Sequence, residues 1–102
     1  MFETESSSAL KKRIAKGRHL VLFYAGWCPD CARFMPVFDS LRPKAGLQPA
    51  KARTDEDENP IWEDWKIEVV PTVVLFENGK EKARSEETSR DNCRKGLEKL
   101  LS

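Results

Sequence analysis

Two cysteines separated by two residues, Cys28 and Cys31, are the positions of this sequence with the clearest chemical use. They belong to the run WCPDC at positions 27–31, which follows an apolar stretch typical of a strand and precedes a predicted helix. Thiols at this spacing can share a disulfide, and the N-terminus of a helix favours the thiolate form of the first cysteine. The pair is therefore a candidate for thiol–disulfide exchange.

Zinc binding is the main chemical alternative for this pair of cysteines. A structural zinc site usually has four Cys or His ligands, and the sequence offers only Cys93 and His19 besides the pair. Neither lies in a paired spacing, so we expect no metal site within one chain, whereas a site shared between two chains stays open. Cys93 falls on the apolar stripe of the last predicted helix and is interpreted as a small core residue, and His19 as a surface residue.

The length and charge of the chain limit the classes of partner. With 102 residues it is expected to form a single domain over residues 1–102. The 18 Lys and Arg residues nearly balance the 17 Asp and Glu residues, so the formal net charge is only +1. Such a chain has no long-range field that attracts nucleic acid or an anionic membrane. No apolar run approaches the ~20 residues of a membrane span, so we expect neither nucleic acid nor a membrane as a partner.

The first residues and the cysteine count bear on the compartment. The chain begins MFETE, which is acidic where a secretion signal is basic, and no long apolar segment follows. Three cysteines in a chain without a disulfide framework are typical of catalysis or metal binding in a reducing compartment. We therefore expect a cytoplasmic protein that is a monomer.

Hydrophobic periodicity and turn residues predict an alternation of helices and strands. The segment over 20–24 is apolar on both faces, as in a buried central strand, and Asn78-Gly79 is a strong hairpin signal. The predicted helices cover residues 9–16, residues 29–41, a short segment that begins at Asn59 and Pro60, and a segment that starts near Thr88 or Ser89. The predicted strands cover residues 20–24, 50–54, 72–76 and 80–84.

The order of these elements predicts an α/β fold. Crossover helices join the first strands, and a tight turn joins the last two. The result is a mixed sheet of about four strands with helices on both faces. Pro36 lies inside the second predicted helix, where it should bend the helix.

The chain resembles the thioredoxin family over nearly its whole length, and three features carry the likeness. The first is the WCPDC run after an apolar strand, and the second is Pro36, where the active-site helix of the family bends. The third is the VPT run at 70–72, which enters a strand and is followed by Asn-Gly at 78–79. The resemblance implies a thioredoxin-like fold and a thiol–disulfide oxidoreductase with no cofactor besides the redox-active disulfide Cys28–Cys31.

The resemblance also implies a role for each member of the site. Cys28, at the mouth of the helix, is expected to attack a substrate disulfide, and Cys31, one turn deeper, to resolve the mixed disulfide. The Val70–Pro71 bond is expected to be cis and to face the cysteines. Because Pro71 has no N–H, the main chain of Val70 would be free to pair with an extended substrate segment.

Three residues beside the cysteines are expected to tune them. Trp27 is interpreted either as an apolar platform over the site or as a core residue, and Pro29 as the first residue of the helix. Asp30 brings a carboxylate near the sulfurs, which disfavours a thiolate, so we expect it to make the dithiol a better reductant. Leu22 occupies the position where thioredoxins usually bury an aspartate, so the proton of Cys31 must go to water or to Asp30.

Other departures from the family pattern concern partners. The proline directly follows the first cysteine, as in glutaredoxins, and Val69 and the SEE run at 85–87 replace small residues where partners dock. The main hypothesis is a protein disulfide reductase that acts on disulfide-containing proteins and is recharged by a separate reductase or a small thiol. The alternatives are a glutaredoxin-like, glutathione-dependent oxidoreductase and a non-catalytic docking or metal-binding module of the same fold.

Overall fold

The polypeptide forms a five-stranded sheet with helices on both faces. The computed structural model describes residues 1–41, 46–86 and 90–101, and only the backbone of residues 90–94 and 101. The strands are β1 (Phe2–Thr4), β2 (Arg18–Tyr24), β3 (Leu47–Arg53), β4 (Thr72–Glu77) and β5 (Lys80–Ser85), and the helices are α1 (Ser7–Ile14), α2 (Pro29–Asp39), α3 (Ile61–Asp64) and α4 (Arg90–Leu101).

The centre of the sheet is β2, and the strand order is β1-β3-β2-β4-β5. This strand runs parallel to β3 and antiparallel to β4, with Val21 opposite Ala50 on one side and Val74 on the other. The outer strands follow the same division, because β1 is parallel to β3 and β5 is antiparallel to β4. The sheet is therefore mixed, which confirms the predicted fold class.

The sheet has five strands rather than the predicted four, because β1 escaped prediction. This strand has three residues, Phe2–Thr4, which alternate between half-buried and exposed. So short a segment cannot show a period-2 pattern, since that signal needs about four residues or more. It becomes a strand by pairing with Ala50 to Ala52 of β3, which lies far along the chain.

The third strand, β3, begins earlier than the predicted strand over 50–54. Ala50 and Ala52 are completely buried, although alanine contributes little apolar surface. Pairing with β1 on one side and β2 on the other satisfies the backbone groups of this segment, so it is a strand despite its composition. Pro49 is accommodated because pairing with β1 begins only at Ala50, and a proline needs a position with one open side.

Side chains of β2 alternate between two hydrophobic clusters, one on each face of the sheet. Leu20 and Leu22 pack with residues of α2 and α4, whereas Val21 and Phe23 pack with residues of α1 and α3. This arrangement confirms the prediction of helices on both faces. The first cluster, called here the α2-side core, consists of Leu20, Leu22, Tyr24, Ala25, Cys28, Cys31, Phe34, Phe38, Leu47, Val73 and Leu97.

The prediction that His19 is a surface residue is wrong. The residue is 2% exposed, and its Nε2 lies 2.8 Å from the carbonyl oxygen of Lys16. It pairs with Gln48 on one side and Phe76 on the other, inside the central strand. The sequence pattern placed the start of the strand at residue 20, but β2 already begins at Arg18, so His19 is covered by both neighbouring strands.

The ends of α1 and of the last hairpin follow local capping chemistry. The Oγ of Ser6 accepts a hydrogen bond from the Ala9 N–H at 3.2 Å, so α1 begins two residues earlier than the predicted helix. Asn78 and Gly79 both have positive φ, 52° and 82°, as a two-residue hairpin requires. The Oδ1 of Asn78 also accepts a hydrogen bond from the Gly17 N–H at 2.9 Å, which ties this hairpin to the start of β2.

The second and fourth helices bear on the remaining sequence predictions. Pro36 lies inside α2, as predicted, and the helix ends at Asp39 rather than at residue 41. The predicted start of the last helix near Thr88 or Ser89 lies outside the described residues, and so does the side chain of Cys93.

Candidate functional site

The first cysteine of the pair lies at the N-terminus of α2. Cys28 is the N-cap residue, with φ −89° and ψ 114°, and Pro29 follows in the first turn. The Sγ of Cys28 accepts a hydrogen bond from the Cys31 N–H at 3.1 Å. The sulfur therefore occupies the position of a helix cap, where backbone N–H groups and the helix dipole stabilise negative charge.

The two cysteines differ in their surroundings. Cys28 is 7% exposed and Cys31 only 1% exposed, so Cys28 is the more accessible of the two, as expected. Cys31 belongs to the α2-side core together with Leu22 and Phe34. Burial raises the pKa of the Cys31 thiol strongly, and its hydrogen bond with Cys28 raises it further. Cys31 is therefore protonated at neutral pH, and both cysteines are unbonded thiols in this structure.

The loop before β4 lies against the accessible sulfur. The Val70–Pro71 peptide bond is cis, and the Val70 carbonyl oxygen lies 3.5 Å from the Sγ of Cys28, within reach of the thiol as a donor. The loop is held by Thr72, whose hydroxyl donates to the Val69 carbonyl at 2.7 Å. The structure thus brings the Val70 carbonyl, at a cis bond to Pro71, next to the Cys28 sulfur.

Trp27 lies on the surface beside the pair. It is 58% exposed, so its interpretation as a core residue is wrong. Its indole N–H donates to the backbone carbonyl of Asp55 at 2.8 Å, which holds the ring against the loop after β3. An exposed aromatic ring next to Cys28 remains compatible with the predicted apolar platform.

Asp30 forms an ion pair with Arg33 one turn along α2. The two side chains are partly exposed, and the pair has the i,i+3 spacing that the sequence already contained. Asp30 adds a small contribution to the raised pKa of Cys31, behind burial and the influence of Cys28. The positive charge of Arg33 therefore weakens the effect that the negative charge of Asp30 was expected to have on the cysteines. The sequence analysis did not assign Arg33 as a partner of Asp30.

Leu22 is completely buried in the α2-side core, beside Cys31 in the same cluster. Among the side chains that the structure describes, the buried polar or charged ones are His19, Thr54 and Thr72, and none of them is a carboxylate. The interior around Cys31 therefore offers no acidic group in this part of the chain. A proton leaving Cys31 must be accepted from the surface side of the pair.

The polar contacts of Tyr24 and Asp55 were not predicted. The hydroxyl of Tyr24 donates to the Glu3 carboxylate at 2.7 Å, and burial together with this bond raises the pKa of Tyr24 to about 12. Asp55 binds both Arg53 and the backbone of Gly26. The only sequence signal for Asp55 was its membership of an acidic loop, which is more often solvated than structural.

The described residues hold no cluster of three or more His, Cys, Asp or Glu side chains arranged to bind a metal ion. Because side chains alternate along a strand, His19 lies on the face of β2 that carries Val21 and Phe23, opposite to the cluster of the cysteines. Its Nε2 contacts the Lys16 carbonyl oxygen. Within the described ranges, no helix combines the length and the apolar character that crossing a membrane requires.

Comparisons with known proteins agree with this geometry. The Thioredoxin family model matches residues 2–100. A thioredoxin of Chlamydia pneumoniae is 33% identical over 85 residues, which is 82% of this chain and 82% of that protein, and a thioredoxin of Rickettsia felis is 31% identical over 85 residues, which is 80% of this chain and 81% of that protein. The solution structure of oxidised thioredoxin from Plasmodium falciparum has the same fold, with a TM-score of 0.79 and 21% identity over 100% of this chain and 99% of that chain.

The fold, the spacing of Cys28 and Cys31 and the family match lead to one conclusion. The chain belongs to the thioredoxin family and is a thiol–disulfide oxidoreductase with a redox-active CxxC pair.

We expect Cys28 to be alkylated well before Cys31 in the reduced protein. Cys31 is almost inaccessible, and its raised pKa keeps it in the unreactive thiol form at neutral pH. Peptide mass spectrometry after brief iodoacetamide treatment, from about pH 6 to about pH 10, measures both rates. In a Cys28→Ser variant, labelling of Cys31 should require markedly alkaline pH. Equal rates for the two cysteines at neutral pH would contradict this assignment.

Removal of the Asp30 charge should raise the rate of Cys28 alkylation at neutral pH about twofold, because a carboxylate near the sulfur disfavours the thiolate and its effect is screened at a partly exposed position. The matched variants are Asp30→Asn and Arg33→Gln, since the two side chains form one ion pair. Arg33→Gln should lower this rate. If both variants keep the rate of the unmodified protein, Asp30 does not tune the pair.

Proposed function

We propose that this chain is a protein disulfide reductase, in which Cys28 attacks a substrate disulfide and Cys31 resolves the mixed disulfide. The observation that carries the proposal is the unequal placement of the sulfurs. The Cys28 sulfur lies at the N-terminus of α2 within 3.5 Å of the Val70 carbonyl, whereas Cys31 is buried behind it. An accessible sulfur at a helix end favours a nucleophile, and a buried neighbour one turn away favours an intramolecular second step.

The first step forms a bond between the Cys28 sulfur and one sulfur of the substrate disulfide. The substrate S–S bond breaks, and its other sulfur leaves as a thiolate that takes a proton from water. The proton of the Cys28 thiol passes to water before this attack, because the thiolate is the nucleophile. In the second step Cys31 loses its proton and attacks the Cys28 sulfur. The mixed disulfide breaks, the second substrate sulfur leaves, and a Cys28–Cys31 disulfide remains. Two electrons have then passed from the protein to the substrate.

The second step needs an acceptor for the Cys31 proton. With Leu22 at the buried position, we assign this role to water or to Asp30, which lies at the start of α2. Asp30 is a suitable candidate because its negative charge contributes to the raised pKa of the Cys31 thiol. If it is the acceptor, Asp30→Asn slows release of the mixed disulfide, and an unchanged rate leaves water in this role.

The substrate would approach along the loop that contains Val70 and Pro71. Trp27, which precedes Cys28, and Val69, which precedes Val70, are exposed apolar side chains. An extended segment with a disulfide could rest on these surfaces while its main chain pairs with that of Val70. We therefore assign disulfide-containing proteins as the substrate class and keep Val70 and Pro71 as proposed substrate-binding residues.

The reduced pair must be regenerated by an outside electron donor. We propose a separate reductase protein or a small thiol, with no cofactor in this chain besides the cysteine pair. The proposed form is a monomer in the cytoplasm, where a reducing poise would keep the pair as a dithiol.

A glutathione-dependent reaction is the second candidate. The observation in its favour is Pro29, which directly follows Cys28 in the first turn of α2 as in glutaredoxins. Sustained turnover with glutathione as the sole electron donor would support this alternative. Turnover that requires a protein reductase or a dithiol would support the main proposal.

Replacement of the resolving cysteine should trap the intermediate. A Cys31→Ser variant is expected to accumulate a mixed disulfide with a disulfide-containing protein such as insulin, because the second step is removed. Cys28→Ser should form none and should lose more than ~99% of the reductase activity, since the nucleophile is absent. Cys93→Ser is the matched control and should behave as the unmodified protein. Non-reducing electrophoresis and peptide mapping identify the adduct, and an adduct on Cys31 in the Cys28→Ser variant would reverse the assigned roles.

The reduction potential of the pair decides the direction of the reaction. We expect a value near thioredoxin's ~−270 mV, because burial of Cys31 disfavours its thiolate, so the reduced form gains no stabilisation from ionisation of that thiol. Equilibration in dithiothreitol buffers of defined potential, followed by alkylation and mass measurement, gives this value. A potential near the ~−120 mV of strong oxidants would instead mark a disulfide donor.

A further inference from the structure

Gly26 and Trp27, which directly precede Cys28, donate hydrogen bonds to one residue of the loop after β3, Asp55. We propose that Asp55 is a positioning residue that fixes the Gly26–Trp27 turn and thereby sets the position of Cys28 and Trp27 for a protein substrate. The part of this inference that concerns substrates rests on the proposed function. The part that concerns the turn rests on the geometry alone.

Two consecutive residues of the turn donate hydrogen bonds to Asp55. The backbone N–H of Gly26 donates to the Oδ1 of Asp55 at 2.6 Å. The indole N–H of Trp27 donates to the backbone carbonyl of the same residue at 2.8 Å. The next residue is Cys28, whose own N–H completes the turn by donating to Ala25 at 3.2 Å. The orientation of the chain that enters α2 is therefore set by the place of Asp55.

Asp55 is itself held from two directions. Its Oδ2 accepts hydrogen bonds from Arg53, at 3.0 Å from Nε and 2.9 Å from an Nη atom. Its backbone is held through the preceding residue. The Thr54 N–H donates to the Tyr24 carbonyl at 2.8 Å, which continues the pairing of β2 with β3 past the end of β3. A carboxylate with both oxygens engaged by donors on different elements has little freedom to rotate.

The electrostatics agree with a charged carboxylate at this place. The Gly26 N–H, followed by Arg53, lowers the pKa of Asp55. The hydrogen bond to Asp55 and its negative charge in turn raise the pKa of Arg53. A carboxyl group whose pKa is lower in the folded than in the unfolded state stabilises the fold fully at any pH above the unfolded-state pKa. This stabilisation is lost only as the pH falls through the folded-state pKa. The contact is therefore intact throughout the neutral range in which thiol exchange takes place.

The lack of a side chain at position 26 is part of this arrangement. A Cβ atom built on Gly26 would lie 2.4 Å from an Nη atom and 3.1 Å from the Cζ of Arg53, and 3.3 Å from the Oδ2 of Asp55. A residue with a side chain would have to displace the guanidinium group. A side chain at position 26 would therefore loosen the contact of Arg53 with Asp55.

The arrangement bears on function because packing does not hold Trp27. A ring that is 58% exposed has few apolar neighbours to fix it, so its hydrogen bond to Asp55 has a large share in its orientation. A loose Trp27 would occupy the approach to Cys28. Binding of a protein substrate would suffer from this change, whereas a small disulfide needs only the sulfur.

The test compares Asp55→Ala with Asp57→Ala, which removes the same charge from an exposed residue of the same loop. Asp55→Ala should lower kcat/KM for insulin about tenfold, mainly through KM, because a charge-assisted hydrogen bond is lost. Its rate with a small aromatic disulfide should stay within about twofold, since the cysteines are unchanged. Asp55→Asn keeps an oxygen acceptor for Gly26 and should restore most of the activity, and Asp57→Ala should have no effect.

A second measurement tests the geometry whatever the activity. In the unmodified protein, the Gly26 amide and the Trp27 indole N–H should be protected from hydrogen exchange. Asp55→Ala removes the carboxylate that accepts from Gly26, so the exchange rate of this amide should increase about tenfold or more, whereas the indole N–H keeps its backbone acceptor and should exchange faster only to the extent that the turn moves. Gly26→Ala should have the same effect through displacement of Arg53, which keeps the test available if Asp55→Ala does not fold. Wild-type exchange and wild-type KM in Asp55→Ala would overturn the positioning role. If the unmodified protein does not reduce insulin although both N–H groups are protected, the proposed function is overturned and the positioning of the turn is still supported.

Discussion

The hydrogen bond from the Cys31 N–H to the Cys28 sulfur is the interaction on which the site depends. It exists because Cys28 is the N-cap of α2, and α2 begins there because Pro29 suits a first helical turn and cannot donate an N–H. The same turn that brings one sulfur to the positive end of the helix directs the side chain of Cys31 into the α2-side core. A single helix start therefore creates two thiols with different chemistry.

The sheet determines what surrounds these two thiols. Because β2 is central, its carboxyl end opens between the loop after β3 and the loop before β4. The first loop supplies Asp55, and the second supplies Val70 beside the accessible sulfur. The face of β2 that contains Leu22 supplies the apolar surroundings of Cys31. Strong burial, with no buried carboxylate among the described side chains, keeps Cys31 a neutral thiol, whereas the Cys28 sulfur lies at the helix end.

Much of the fold follows from local pattern, and the errors have a common cause. The central strand, the hairpin at Asn78 and the active-site helix carry strong signals, and each is confirmed. The strand β1 and the burial of His19 were missed, because both depend on pairing with segments far away in the chain. The site shows the same division. The two cysteines are visible as a spacing, whereas the contacts of Asp55 with Gly26 and Trp27 join residues nearly thirty positions apart.

The sequence by itself determined the chemistry that is available to this protein. The two thiols at their spacing and the proline beside them are local facts of the sequence, whereas the meaning of Leu22 came from the resemblance to a family that buries an aspartate there. Only the tertiary structure decided which thiol is accessible, that Val70 lies beside it, and that Trp27 is held on the surface by Asp55. The reason is physical, because exposure and hydrogen-bond partners are properties of packing between distant segments and leave no periodic trace in the chain.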